Sequence, residues 1–250
     1  MLKDLLIEEY TLKTLLPISH ITTLECAESI VKCGFLNCEE SNENCICLFY
    51  GPPLYKVKSP HYDAQTLGLA FGRPIGLIFS NDLIDCAHQM FPFDSGAYQK
   101  YFRSFFPESF ELDRFAISPV EKEVLGKLVH FLYGSNENYI FGQPANFNKS
   151  LNPITDGLFE LYNSKVIRDF DERCHGIEIQ FINNILLKNN VELIILPRIV
   201  YSKHKDSLGD IFNGYALDFY EDGYRYDPEK DSHLIQAKAR EYFIKSYNLT

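Results

Sequence analysis

The sequence has no tryptophan and only 2 methionines, and it is short of positive charge: 24 Lys and Arg stand against 34 Asp and Glu, a net charge of −10 with His neutral. That balance disfavours broad binding to a phosphate backbone, which needs clustered cations, although a local basic groove stays compatible with it. Long apolar runs are missing too. Stretches such as Cys45–Tyr50 and Leu193–Leu196 are far too short to span a bilayer. The opening Met1-Leu-Lys-Asp-Leu-Leu-Ile-Glu-Glu9 carries carboxylates where a signal peptide has its apolar stretch, so the expected location is cytoplasmic, with no membrane partner. There is no G-x-G-x-x-G, no Walker A loop and no G-x-S-x-G, which removes the common nucleotide-binding and hydrolase signatures.

What is present is core-forming. The 250 residues are 46% hydrophobic, with 20 Phe and 16 Tyr, enough to bury a full core. No repeat, low-complexity segment or Gly/Ser/Pro-rich linker divides the chain, so residues 1–250 are expected to form one domain. The odd number of cysteines, 7, without an export signal reads as reduced thiols. Five fall at 26, 33, 38, 45 and 47, at spacings of x6, x4, x6 and x1, with no Cys-x2-Cys knuckle; buried structural cysteine is the preferred reading and no metal is expected.

Helices and strands alternate irregularly. An extended stretch at 18–22 leads into a helix over 23–33, with a capping box at Thr22 and Glu25, a Glu28–Lys32 pair and Gly34 as the stop. Strands are expected at 45–51, 75–80, 177–181 and 191–197. Helices are expected at 155–162 and 234–247, and at 119–133, where Ser118 and Glu121 form a capping box around Pro119. The lack of a βαβ rhythm favours an α+β fold.

Three segments stand out: Ile18-Ser-His20-Ile21-Thr22 before a helix ending in Gly34; Leu48-Phe-Tyr50-Gly51-Pro-Pro-Leu-Tyr55; and Arg173-Cys-His-Gly-Ile-Glu178-Ile-Gln-Phe. In order and separation they resemble the ADP-ribosyltransferase superfamily, and within it the branch of DarT-type bacterial toxins that ADP-ribosylate nucleic acid. The resemblance spans about 70 of the 250 residues. It implies a core of two small, mainly antiparallel sheets with flanking helices and a long central insertion at about 60–167. It also implies NAD as co-substrate, a DNA or RNA acceptor, and the role of a toxin or phage-defence effector, in which a neutralising antitoxin can be a partner.

The same resemblance implies the site. Cleaving the nicotinamide–ribose bond passes through an oxocarbenium-like state and calls for an ionised carboxylate beside the ribose. Glu178 would be that carboxylate. His20 and Thr22 would anchor the ribose, the backbone at Ile21 the carboxamide, and Tyr50 or Tyr55, with the Gly51 turn, the nicotinamide. Arg173 would pair with the pyrophosphate or steady the substrate. Singly, each has an ordinary alternative: His20 a strand histidine, Glu178 the solvated face of a strand, the tyrosines core or rim aromatics, Arg173 a charge balance for Asp171 and Glu172. Asp94 and Ser95 mark a shaped turn that is either structural or substrate-binding.

Two departures bear on the acceptor. Protein-modifying members carry Glu or Gln two residues before the catalytic Glu, where this chain has Gly176, which disfavours arginine modification. DNA-targeting toxins place Arg just after the aromatic-Tyr element, where this chain has Pro52-Pro53. Alternatives are therefore a protein ADP-ribosyltransferase, an NAD glycohydrolase, and a non-catalytic binding or immunity protein whose acidic surface meets a basic partner.

Overall fold

The structure is a computed structural model and describes the chain except for residues 7–11, 13, 39–44, 55–72, 146–151, 169–170, 224–227 and 250. The chain opens with β1 (Ile18–Thr23), α1 (Leu24–Cys33), β2 (Phe35–Leu36), β3 (Ile46–Tyr50), β4 (Pro74–Phe79) and β5 (Gln89–Phe91). Helices α2 (Ser95–Ala97), α3 (Lys122–Tyr133), α4 (Asn136–Ile140), α5 (Pro153–Asn163) and α6 (Lys165–Arg168) follow. Then come β6 (Glu178–Phe181), β7 (Ile185–Leu186), β8 (Val191–Pro197), α7 (Arg198–Lys203), α8 (Lys205–Ile211), β9 (Leu217–Tyr220) and α9 (Pro228–Tyr247).

The fold is α+β. Among the described residues, seven strands form one sheet in the order β5-β6-β3-β1-β4-β8-β9, and β2 and β7 form a second sheet of two. Every pair is antiparallel except β8 with β9. The two sheets are thus very unequal in size. The segment expected as an insertion supplies β4 and β5 to the large sheet, so it is woven into the core and not appended to it.

Local chemistry explains the boundaries. Thr23 caps α1 by accepting from the Cys26 N–H, one residue later than the sequence suggested; Gly34 ends the helix in the left-handed region, and Lys32 pairs with Glu28 at 3.4 Å. Pro119 is in a cis peptide ahead of α3, which starts at Lys122. Asn152 caps α5, with Pro153 in its first turn. The alternation at 177–181 suggested a half-solvated strand, yet β6 is buried at all of its residues because β3 and β5 flank it and elements cover both faces. Of the five clustered cysteines, Cys26 and Cys33 are exposed, against the expectation of burial, whereas Cys38 and Cys45 are buried and Cys47 is half-buried.

The aromatic stretch after β5 condenses into a cluster of its own. Phe93 stacks on Tyr98 at 5.6 Å between ring centres and meets Phe102, Phe106 and Phe115 at 5.1–6.0 Å. Tyr162 of α5 donates to the Pro92 carbonyl at 2.5 Å. This packing fixes the turn at Asp94 and Ser95 against β6.

Candidate active site

Glu178 is the first residue of β6 and is 1% exposed. Ser95 holds it from above: its backbone N–H donates to Oε2 and its hydroxyl to Oε1, both at 2.8 Å. Gln180, two residues on and therefore on the same face of the strand, donates to Oε1 at 2.5 Å and to the Ser95 hydroxyl at 2.9 Å. Gln89 on β5 in turn donates from Nε2 to the Gln180 side-chain Oε1 at 2.6 Å. Burial, and then the nearby charge of Asp94, push the Glu178 carboxyl up to about 7, against the opposing pull of the Ser95 and Gln180 donors.

Arg173 sits on the short helical turn before β6. It grips Asp171 with two nitrogens, Nε to Oδ1 at 2.8 Å and an Nη to Oδ2 at 2.7 Å, and it meets Asp94 Oδ2 at 2.8 Å. Burial opposes its charge, but the two carboxylates, with Glu178 behind them, raise its pKa well above the ordinary value. Asp94 closes the ring by accepting from the Ala97 N–H and donating its own N–H to the Arg173 carbonyl. Two acids, one base and a third acid with a raised pKa are thereby locked in one network. Such perturbed clusters concentrate at functional sites.

His20 lies on the central strand. Registered pairing between β1 and β3 stops after Ile18–Tyr50 and Ser19–Phe49, whereas β1 stays paired with β4 as far as Thr23. Among the described residues, no strand is registered against the edge of β1 that faces β3 beyond Ser19. His20 reaches across, its Nδ1 3.3 Å from the Cys47 carbonyl. A carbonyl only accepts, so Nδ1 carries the proton; burial lowers the pKa and leaves Nε2 as a lone-pair acceptor on the neutral ring.

The register places Ser19, Phe49 and Glu178 in one row and hence on one face. His20, one residue on, alternates to the other face. The structure thus brings Arg173, Asp94 and Ser95 to Glu178 but does not set His20 beside it. Ile21 and Thr22 are half-buried on the part of β1 beyond Ser19, opposite Gly76 and Ile75 of β4.

Tyr50 has the surroundings of a core residue. It is fully buried, its hydroxyl accepts from the Leu16 N–H and donates to Asn136 Oδ1, and its ring packs on Tyr139 at 5.4 Å. No face of it is open for stacking on a nicotinamide. Gly51 makes the turn after β3 at a φ of +69°, where a side chain would also press within 2.8 Å of Tyr139. Tyr55 lies outside the described residues. Gly176 has a steric cause: a Cβ there would lie 2.2 Å from Leu54 and 2.8 Å from Phe49.

Sequence reasoning missed Gln180, although its spacing from Glu178 on a strand points to a shared face. Ser95 was noticed only as part of a turn, since nothing local connects residues 83 apart.

No protein-family model matches the chain, and no curated protein sequence does. Among solved structures it is similar to Thermus sp. 2.9 DarT in complex with carba-NAD+, at 10% identity and a TM-score of 0.44, covering 86% of this chain and 100% of that one. It is similar as well to the same protein in complex with NAD+, at 11% identity and a TM-score of 0.45, covering 84% and 97%.

Proposed function

We propose that this chain is an NAD-dependent ADP-ribosyltransferase that modifies nucleic acid, with the toxin or phage-defence role that the motif resemblance implies. The observation that carries the reading is the Glu178 carboxylate. It is buried at the head of a strand, held by three donors, and poised near neutrality beside an arginine. It stands at the place in the motif order where the transferase chemistry needs a carboxylate.

The chemistry follows from those properties. As the C1″–N bond of NAD lengthens, its electron pair leaves with nicotinamide and positive charge grows on the ribose. An ionised Glu178 stabilises that charge and accepts from the 2″-hydroxyl, which would take over the place of the Ser95 hydroxyl. The acceptor atom then bonds to C1″ and loses its proton. The edge of β1 at Ile21 offers backbone groups for the carboxamide, and neutral His20, on the other face of the strand from Glu178, keeps one acceptor nitrogen that the motif resemblance assigns to a ribose hydroxyl. Arg173 would supply charge for a phosphate, although Asp171 and Asp94 already hold it. Nicotinamide release with water as acceptor is the hydrolytic variant of the same chemistry.

Incubation of the protein with labelled NAD and, separately, single-stranded DNA, RNA or a protein mixture tests the reading. Label should enter nucleic acid, and Glu178→Ala should abolish it. Equal labelling by both proteins removes Glu178 from the mechanism, and label confined to protein transfers the acceptor to that class. Free nicotinamide without any labelled acceptor would make the chain a glycohydrolase.

A further inference from the structure

A separate cavity of about 280 Å³ lies next to this cluster, between α4, α9 and the turn that carries Arg173. Its walls are mixed. Pro52, Leu54 and Phe141 supply apolar surface, and Phe141 is 52% exposed at the rim. Arg240 of α9 supplies the cation. Its Nε donates to the Gln236 carbonyl one helical turn back, and its two terminal nitrogens make no side-chain hydrogen bond or ion pair among the described residues. The one acid on the wall among the described residues, Glu172, has both oxygens engaged, by His233 Nε2 at 2.8 Å and Gln236 Nε2 at 2.5 Å. Glu172 thus faces α9 without closing on Arg240.

A half-buried guanidinium with its fork open is matched to an anion with two oxygens, and phosphate is the common one. Burial disfavours the Arg240 charge, with Glu172 only partly offsetting that cost, so an incoming anion would relieve it. A partly exposed aromatic on the wall of the same cavity as such a cation can hold a base while the cation holds its phosphate. We infer that this cavity binds a nucleotide, its phosphate on the Arg240 fork and its base against Phe141.

The cavity is mechanically continuous with the cluster. Its wall residue Tyr139 accepts from the Ile177 N–H, next to Glu178, and donates to the Tyr50 carbonyl. On the turn before β6, Arg173 reaches Asp94, whose neighbour Ser95 holds Glu178, while Glu172 and His175 of the same turn line the cavity. Assigning the bound nucleotide to the transfer reaction rests on the function proposed above; binding itself does not.

The test is equilibrium binding without turnover. Adenosine 5′-monophosphate, NAD+ and a short fluorescent single-stranded oligonucleotide are titrated into the wild type and into Arg240→Gln, Arg240→Lys, Phe141→Ala and Glu178→Gln. Loss of a charge-assisted fork should weaken monophosphate binding by at least about tenfold in Arg240→Gln. Arg240→Lys should recover part of it. Phe141→Ala, at an exposed position that leaves the core intact, should weaken it severalfold. Glu178→Gln should leave it unchanged. If the oligonucleotide shares the Arg240 loss and NAD+ does not, the cavity serves the acceptor strand; the converse assigns it to the adenylate half of NAD. Monophosphate binding that is absent from the wild type, or equal in wild type and Arg240→Gln, overturns the inference. Arg240-dependent binding in a protein that never turns NAD over would leave this site standing while the proposed function falls.

Discussion

Ser95 holds both oxygens of Glu178, one with its backbone N–H and one with its hydroxyl, each at 2.8 Å. The hydroxyl is a tuning element, since a donor to the charged form lowers a carboxyl pKa. Ser95→Ala should therefore move the rising limb of the pH–activity profile to higher pH. A hydrogen bond to a charged group is worth about 1.5–3 kcal/mol, which corresponds to about one to two pH units. A profile that stays in place would show that Ser95 does not act through Glu178.

Asp94→Asn should shift the same limb the other way. It removes the negative charge that raises the Glu178 pKa and leaves Arg173 less neutralised, while an asparagine can still cap α2. Opposite displacements in the two variants, read from initial rates of NAD consumption across pH, separate an electrostatic role from a general loss of packing.

Stability supplies a check that does not depend on activity. Glu178 has a folded pKa near 7 against an ordinary value of 4.5, so between those pH values the folded protein binds more protons than the unfolded one. Its contribution to stability is thus lost as pH rises through that window, by up to about 3 kcal/mol. Glu178→Gln removes this dependence. Thermal melts should find the variant more stable than wild type at pH 8, with the difference shrinking toward pH 5. A gap that widens at low pH would contradict the burial argument.

Tyr50→Phe should destabilise the fold by about 1–3 kcal/mol, because it strands the Leu16 N–H and the Asn136 carbonyl oxygen in a buried place. The KM for NAD should stay near that of the wild type once the melts confirm folding. A large change in KM with little loss of stability would restore Tyr50 to the binding surface.

The legible part of this protein is local. Thr23, Gly34 and the Glu28–Lys32 pair delimit α1 within a residue, and the strands at β3, β4 and β8 fall close to their expected bounds. The solvent exposure of β6 was misjudged because alternation describes one strand and not the elements packed over it. Arg173 and Glu178 could be nominated together since they stand five positions apart on one turn and strand. Their meeting with Asp94 and Ser95, which the sequence marks only as a shaped turn, could not. Those two come to them through the aromatic cluster and the β5–β6 pairing, contacts that no local pattern encodes. Tyr50 and Gly51 were nominated for a ligand, yet in this structure their burial and backbone geometry answer to Tyr139.

The sealed position two residues before Glu178 constrains how this chain can change over generations. Leu54 and Phe49 fill the volume that any side chain at Gly176 would need. A descendant acquiring a glutamate there in one step would have to displace both side chains, at a cost in stability. A smaller residue at 49 or 54 already in place would lessen that cost, so the order of mutations, and not only their sum, decides how readily position 176 accepts a side chain.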